Sequence, residues 1–172
     1  EEIARAFLIK PKSMEQRITR AKRTIAKADV PFTAPNIIER NERLKAVMLM
    51  LYLLFNEGWS ASSGELQIKI PLCEEAIYLT RLLLNLFPSQ TELMGLLALL
   101  LLQHARHKAR ITATGELVVL DEQDRSLWNQ SLILEAQNLL DKALRHGTPG
   151  SFQIQAAIAS VHASATTSPE TD

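Results

Sequence analysis

The chain has 172 residues, 47% of them apolar and 22% charged, with equal numbers of basic and acidic side chains. That balance excludes a disordered or collagen-like chain, and the length allows one domain or two small ones around a sizeable core. A single cysteine, Cys73, rules out an internal disulfide, and a composition led by Leu, Ala, Glu, Arg, Lys and Gln favours helices over strands.

Residues 1–30 hold eight basic and four acidic side chains, a net +4, while the remaining 142 carry eleven and fifteen, a net −4. A basic first segment on a mildly acidic body predicts two modules, the first suited to a polyanion. The longest uncharged apolar runs, Ala46–Phe55 and Leu93–Leu102, have ten residues each. A spanning helix needs about 20, so both runs are expected in core helices of a soluble, cytoplasmic protein with no membrane partner. The chain opens at Glu1-Glu2-Ile3, without Met and already in a helical pattern, and is expected to be a piece of a longer protein.

In chain order, Ile3, Ala4, Phe7 and Leu8 predict a first helix that stops at Ile9-Lys10-Pro11, because proline lacks a donor and disfavours helical angles before it. Ser13 reads as the N-cap of a second helix of about 14 residues, with Met14, Ile18, Ala21 and Ile25 as one apolar stripe. Its other face carries Gln16, Thr19, Arg20, Arg23 and Lys27, flanked by Arg17 and Lys22. Helix, short turn and basic amphipathic helix is the order of a helix-turn-helix.

Val30 to Asn36 reads as a linker, followed by a helix over roughly Ile38–Asn56 and a loop over Glu57–Gly64. Pro71 suits the first turn of a helix running to about Leu86, and another spans roughly Thr91–His107. Ile111-Thr112 and Leu117-Val118-Val119 around Thr114-Gly115 predict a small β-hairpin. Asp121 or Asp124 is expected to cap a helix through Arg145, ended by Gly147 and Pro149. A last helix, about Ser151–His162, runs into a Ser/Thr tail. The fold class is therefore all-α: a helix-turn-helix followed by a helical-repeat-like bundle with one small hairpin. Its helical pairs are tetratricopeptide-like in length, although the 34-residue consensus is not legible.

The basic second helix is the strongest chemical signal. In a helix-turn-helix, outward side chains of the second helix reach base edges and phosphates in the major groove. Arg20 suits a guanine edge and Gln16 an adenine edge, whereas Lys12, Arg17, Lys22 and Arg23 suit phosphates. The same stripe also fits an ordinary solvated face, and spacing leaves both readings open. His104 and His107, at i and i+3, would need further ligands to hold a metal, so no metal is expected. Cys73, near a helix start, has the option of a lowered thiol pKa but fits a core cysteine better. Asp121, Glu122 and Asp124 suit helix capping. Ser60, Ser62 and Ser63 lack the glycine-flanked pattern of a nucleophile elbow, and no phosphate loop or dinucleotide fingerprint is present. No enzyme and no cofactor is expected.

Several stretches together resemble one family. Glu2-Ile3-Ala4-Arg5-Ala6-Phe7-Leu8, Pro11, Ser13-Met14 and Gln16-Arg17-Ile18-Thr19-Arg20-Ala21-Lys22-Arg23 are similar to the end of region 4 of bacterial extracytoplasmic-function sigma factors. Pro31-Phe32, Leu51-Tyr52-Leu53-Leu54-Phe55-Asn56-Glu57-Gly58, Ala61-Ser62-Ser63-Gly64, Leu72-Cys73-Glu74-Glu75-Ala76-Ile77, Asp121-Glu122-Gln123-Asp124-Arg125 and Gln153-Ile154-Gln155-Ala156-Ala157-Ile158 resemble the subgroup with a helical, tetratricopeptide-like C-terminal extension. The resemblance implies an alternative sigma factor that directs core RNA polymerase to promoters, region 4 reading the −35 element. It implies base-facing roles for Gln16, Thr19 and Arg20, and backbone-contact or supporting roles for Ser13, Arg17 and Arg23. Glu15 stands where the family often has a basic residue. Region 2 and the first part of region 4 are not in this chain.

The expected DNA-binding set is therefore Lys12, Ser13, Gln16, Arg17, Thr19, Arg20 and Arg23. The expected organisation is region 4 over 1–29, a linker over 30–36, the helical extension over 37–163 and a flexible tail over 164–172. The extension is expected to regulate or to dock a regulatory protein or ligand. The competing expectation is a helical-repeat scaffold that does not bind DNA.

Overall fold

The computed structural model describes residues 1–28, 36–60, 68–165 and 170, apart from the side chains of Glu2 and Ala6. The predicted linker apart from Asn36, the loop residues Ala61, Ser62, Ser63 and Gly64, and most of the tail lie outside the described residues. The described chain is all-α, with seven helices among these residues: α1 (Glu2–Ala6), α2 (Pro11–Lys27), α3 (Ile37–Trp59), α4 (Ile70–Leu86), α5 (Thr91–Ala105), α6 (Gln130–Leu144) and α7 (Ser151–Ser164).

The turn between α1 and α2 is tight. The Leu8 N–H donates to the Arg5 carbonyl and the Ile9 N–H to the Ala4 carbonyl, both at 2.9 Å, with Leu8 at φ +53°. This is a Schellman closure with leucine where glycine is usual. α2 then begins earlier than expected. Lys10 is its N-cap and Pro11 its first residue, so Ser13 sits inside the first turn rather than capping it. Proline's fixed φ is preorganised for a first helical position, where no N–H is needed.

α3 opens with a reciprocal cap absent from the sequence-based expectation. Asn36 Oδ1 accepts from the Glu39 N–H at 2.9 Å, and the Asn36 N–H donates back to Glu39 Oε2 at 3.4 Å. The signal Asn-x-x-Glu was present locally. At its far end α3 continues through Glu57, Gly58 and Trp59, which composition assigned to a loop. α4 passes against Gly58 so closely that a Cβ there would stand 2.8 Å from Cys73 Sγ and 2.9 Å from the Cys73 nitrogen. Close helix approach, not turn chemistry, explains this glycine.

α5 is the centre of the body. It packs against α4, α6 and α7 and touches α3, while α3 pairs with α4. Leu93, Leu96, Leu100 and Leu101 have essentially no exposed surface, and removing each from water stabilises the fold by roughly 1.5–3 kcal/mol. A helix apolar all round is stable only when covered on all sides. Gly95 lets α7 approach, since a Cβ there would meet the Gln153 nitrogen at 2.7 Å. The start of α7 lacks a capping side chain of its own. Glu92, from the first turn of α5, supplies the cap: its Oε1 accepts from the Phe152 N–H at 2.8 Å and its Oε2 from Gln153 Nε2 at 3.1 Å.

α5 stops at Ala105, two residues before the expected end, and passes into a 3₁₀ turn at His107–Ala109. The predicted hairpin is reduced to one antiparallel bridge, Ile111 to Leu117, with Gly115 at φ +88° and no strand among the described residues. Residues on both sides of the bridge are largely exposed, so nothing extends the ladder, as expected for an isolated pair. The helix expected from Asp121 or Asp124 instead begins at Gln130, where Asn129 Oδ1 accepts from the Ser131 and Leu132 N–H groups. Asp124 caps a separate 3₁₀ turn, accepting from the Ser126 N–H at 2.9 Å. Arg125, over the Trp128 ring at 4.6 Å, donates to the carbonyls of His162 and Ala165 and so closes the C-terminal end of α7. The helices come in packed pairs, but α3, α5 and α7 begin at 37, 91 and 151, not at a regular 34-residue period.

Candidate nucleic-acid interface

The helical pitch of α2 sorts its side chains into two stripes. At 3.6 residues per turn, Lys12, Gln16, Thr19, Arg20, Arg23 and Lys27 fall within about 100° of the circumference, and Lys12 to Lys27 spans ~22 Å. Ser13 and Arg17 border this stripe. All seven expected DNA-binding residues, Lys12, Ser13, Gln16, Arg17, Thr19, Arg20 and Arg23, are exposed. Lys12, Gln16, Thr19, Arg20 and Arg23 line one shallow open groove along the helix, together with Glu15. Among the described residues none of these cations is paired with a carboxylate. A row of free guanidinium and ammonium groups on a rigid helix is chemically fitted to phosphate oxygens, and a fork-shaped guanidinium to a guanine edge.

The opposite stripe holds the helix in place only at its start. Met14 is buried and Ile18 half-buried on the helix that packs against α1, whose Ala4 is fully buried. Ala21 is exposed and Ile25 is 71% exposed, so the second half of the expected apolar stripe has no cover among the described residues. Periodicity identified the stripe correctly as one face, but nothing in it states which length of that face meets another helix.

The remaining candidates resolve as structural groups. His104 and His107 stack with ring centroids 4.7 Å apart, and His107 Nδ1 lies 2.8 Å from the His104 carbonyl. Burial, then the neighbouring His107, holds His104 below its ordinary pKa. No group of three His, Cys, Asp or Glu side chains suited to a metal occurs among the described residues. Cys73 is fully buried, its Sγ 3.8 Å from the Phe55 carbonyl, and burial followed by Glu74 pushes the thiol up to about 12. The option of a lowered thiol pKa is thereby corrected: desolvation outweighs any helix-start effect. Hydrogen bonds from Ser126 hold the Asp124 carboxyl below its ordinary range, in keeping with its capping role. Among the described residues no helix is long and apolar enough to cross a membrane.

Sequence reasoning missed one further cluster. Trp59, at the end of α3, lies under two guanidinium groups, Arg110 at 4.3 Å and Arg106 at 5.3 Å from its ring centroid. Neither the composition of the supposed loop nor the spacing of the two arginines signalled that contact, which joins positions about 50 residues apart.

Residues 43–144, more than half of the chain, match the family described as a family of unknown function, DUF6596, and the chain belongs to that family. The match covers most of α3 and all of α4, α5 and α6, and leaves α1, α2 and α7 outside it. An uncharacterized protein of Rhizobium meliloti (strain 1021) is 55% identical over 171 residues, which are 99% of this chain. The chain spans 40% of the length of that relative. No solved structure matches.

Proposed function

We propose that this member of the DUF6596 family is part of an alternative sigma factor, with α1 and α2 as the end of its −35-reading region and the α3–α7 body as a fused regulatory or docking module. The observation that carries the reading is the face of α2. Lys12, Gln16, Thr19, Arg20 and Arg23 stand exposed on one side of a helix that follows a tight, hydrogen-bonded turn. Gln16, Thr19, Arg20 and Arg23 lie within Gln16–Arg23, one of the stretches that resemble extracytoplasmic-function sigma factors. In this reading Gln16, Thr19 and Arg20 meet base edges, whereas Lys12, Ser13, Arg17 and Arg23 position the helix on phosphates. The whole protein binds core RNA polymerase, acts in the cytoplasm, needs no cofactor and is not an enzyme.

The test is run-off transcription with the full-length protein, bacterial core polymerase and a template bearing its own promoter. A specific transcript is expected. Arg20→Ala is expected to weaken promoter recognition by about 1–3 kcal/mol, the worth of one bidentate base contact, and to relax preference at one base pair. Deleting the α3–α7 body is expected to change polymerase binding or promoter output; unchanged values would remove the regulatory half of the proposal.

The second reading is a helical scaffold without DNA binding, favoured by the uncovered Ile25 end of α2, which a protein partner would bury as readily as further helices of the same chain. Salt dependence separates the two. Phosphate-neutralising binding weakens steeply with added salt, whereas a scaffold shows no DNA affinity at low or moderate salt.

A further inference from the structure

The helical body contains a cavity of about 210 Å³ where α3, α5 and α7 meet, its wall including Tyr52, Asn56, Trp59, Gln103, Arg106 and Gln155. Aromatic rings, side-chain amides and one cation thus converge on one space, the composition of a ligand site rather than of a packing void. The volume is below the roughly 300–1,000 Å³ of sites for drug-sized molecules, so it suits a compact group.

Arg106 is held at this space and also borders a smaller cavity beside Leu120 and Trp128. It is the C-cap residue of α5, and its Nε and Nη2 both donate to Gln103 Oε1, the former at 3.2 Å, which fixes the plane of the guanidinium. Arg110 shares the Trp59 ring with it, at 4.3 Å against 5.3 Å, so two cations stand over one buried indole. Among the described residues neither is paired with a carboxylate. Arg81 shows the contrast: both oxygens of Glu135 accept from its Nη2, at 2.7 and 2.9 Å. Burial, then the nearby Arg110, lowers Arg106 to about 10, so it stays charged near neutral pH while partly stripped of water. A ring face and a neutral amide carbonyl offset only part of that cost. An anion entering the cavity would make charge-assisted hydrogen bonds in a medium of lowered dielectric, where they are strongest.

We propose that this cavity binds a carboxylate carried on a compact apolar group, with Arg106 holding the carboxylate and Tyr52 and Trp59 flanking the apolar part. A free small acid and the C-terminal residue of a peptide chain present the same chemistry. The site uses no residue of α2 and stands or falls independently of the sigma-factor reading.

Calorimetric titration with three probes tests it: 4-methylpentanoate, an N-acetylated tripeptide ending in leucine with a free carboxylate, and the same tripeptide amidated. At least one free carboxylate is expected to bind, and the amide to bind at least tenfold more weakly than its acid. Tighter binding of 4-methylpentanoate identifies a small acid as the source; tighter binding of the free tripeptide identifies a chain terminus. Arg106→Gln is expected to weaken the bound carboxylate tenfold or more, and Arg106→Lys, which keeps the charge but loses the fork, by less. Absence of binding by both free carboxylates overturns the proposal, as does equal binding of acid and amide. Should Arg106→Gln fail to fold by circular dichroism, the acid-against-amide comparison on the unaltered chain still decides.

Discussion

α2 and α5 are helices of similar length with opposite surroundings. α2 has 17 residues and one buried side chain, Met14, whereas twelve of the 15 residues of α5 are buried. α2 has a sharp apolar stripe and is left mostly in solvent, while α5 has no polar face and is covered on every side. Amphipathicity therefore did not measure burial here. It marked α2 as a helix with one side reserved for polar contacts, and its absence marked α5 as the element around which the body is built. A helix that presents eleven polar side chains outward is suited to meeting something else, and one that buries twelve residues is suited to holding others still.

The contrast can be broken most sharply in α5. Leu100→Ala is expected to destabilise the fold by about 2–5 kcal/mol, the cost of emptying a fully covered leucine site, read as a lower urea midpoint. A loss under about 1 kcal/mol would mean that α5 is not close-packed. Glu92→Ala should cost less, about 1–3 kcal/mol, because it removes the carboxylate that accepts from the Phe152 N–H and the Gln153 side chain at the start of α7. Hydrogen exchange is expected to rise first in α7, leaving α3 and α4 protected.

The pH dependence follows from His104. Its folded-state pKa lies below the ordinary 6.5, first because of burial and then because of His107. Below about 6.5 the unfolded chain therefore binds more protons than the folded one, and stability is lost as pH falls through that value. Urea midpoints at pH 7.5 and 5.0 check this, with His104→Gln expected to shrink the difference. The smallest effect belongs to α2. Ile25→Ser is expected to change stability by no more than about 0.5 kcal/mol, since that side chain is already exposed. A cost near that of Leu100→Ala would show that the far end of α2 is covered in solution and would erase the contrast.

Much of the helical frame was legible. The start of α4 followed from Pro71, the burial of α5 from its leucine run, and the polar stripe of α2 from 3.6-residue spacing. These are consequences of neighbours within one or two turns. Element ends were less legible where tertiary contact overrode composition. Glu57-Gly58-Trp59 has the residues of a loop but is helical, and its glycine serves the close approach of α4. The acidic run at 121–124 looked like a helix start, yet α6 waits for Asn129. The Asn36–Glu39 cap is a local signal, carried by the Asn-x-x-Glu spacing alone.

The sequence by itself determined which residues share a face, because helical pitch is a local property of the backbone and the side chains it spaces. It also determined that α2 is basic on one side and that the body is mildly acidic. Only the tertiary structure decided what each face meets. Glu92 caps a helix that starts about 60 residues later, Arg106 and Arg110 converge on Trp59, and the stripe of α2 is buried at Met14 but bare at Ile25. Such contacts depend on how helices pack across long chain separations, and no periodicity within a single helix encodes its partner.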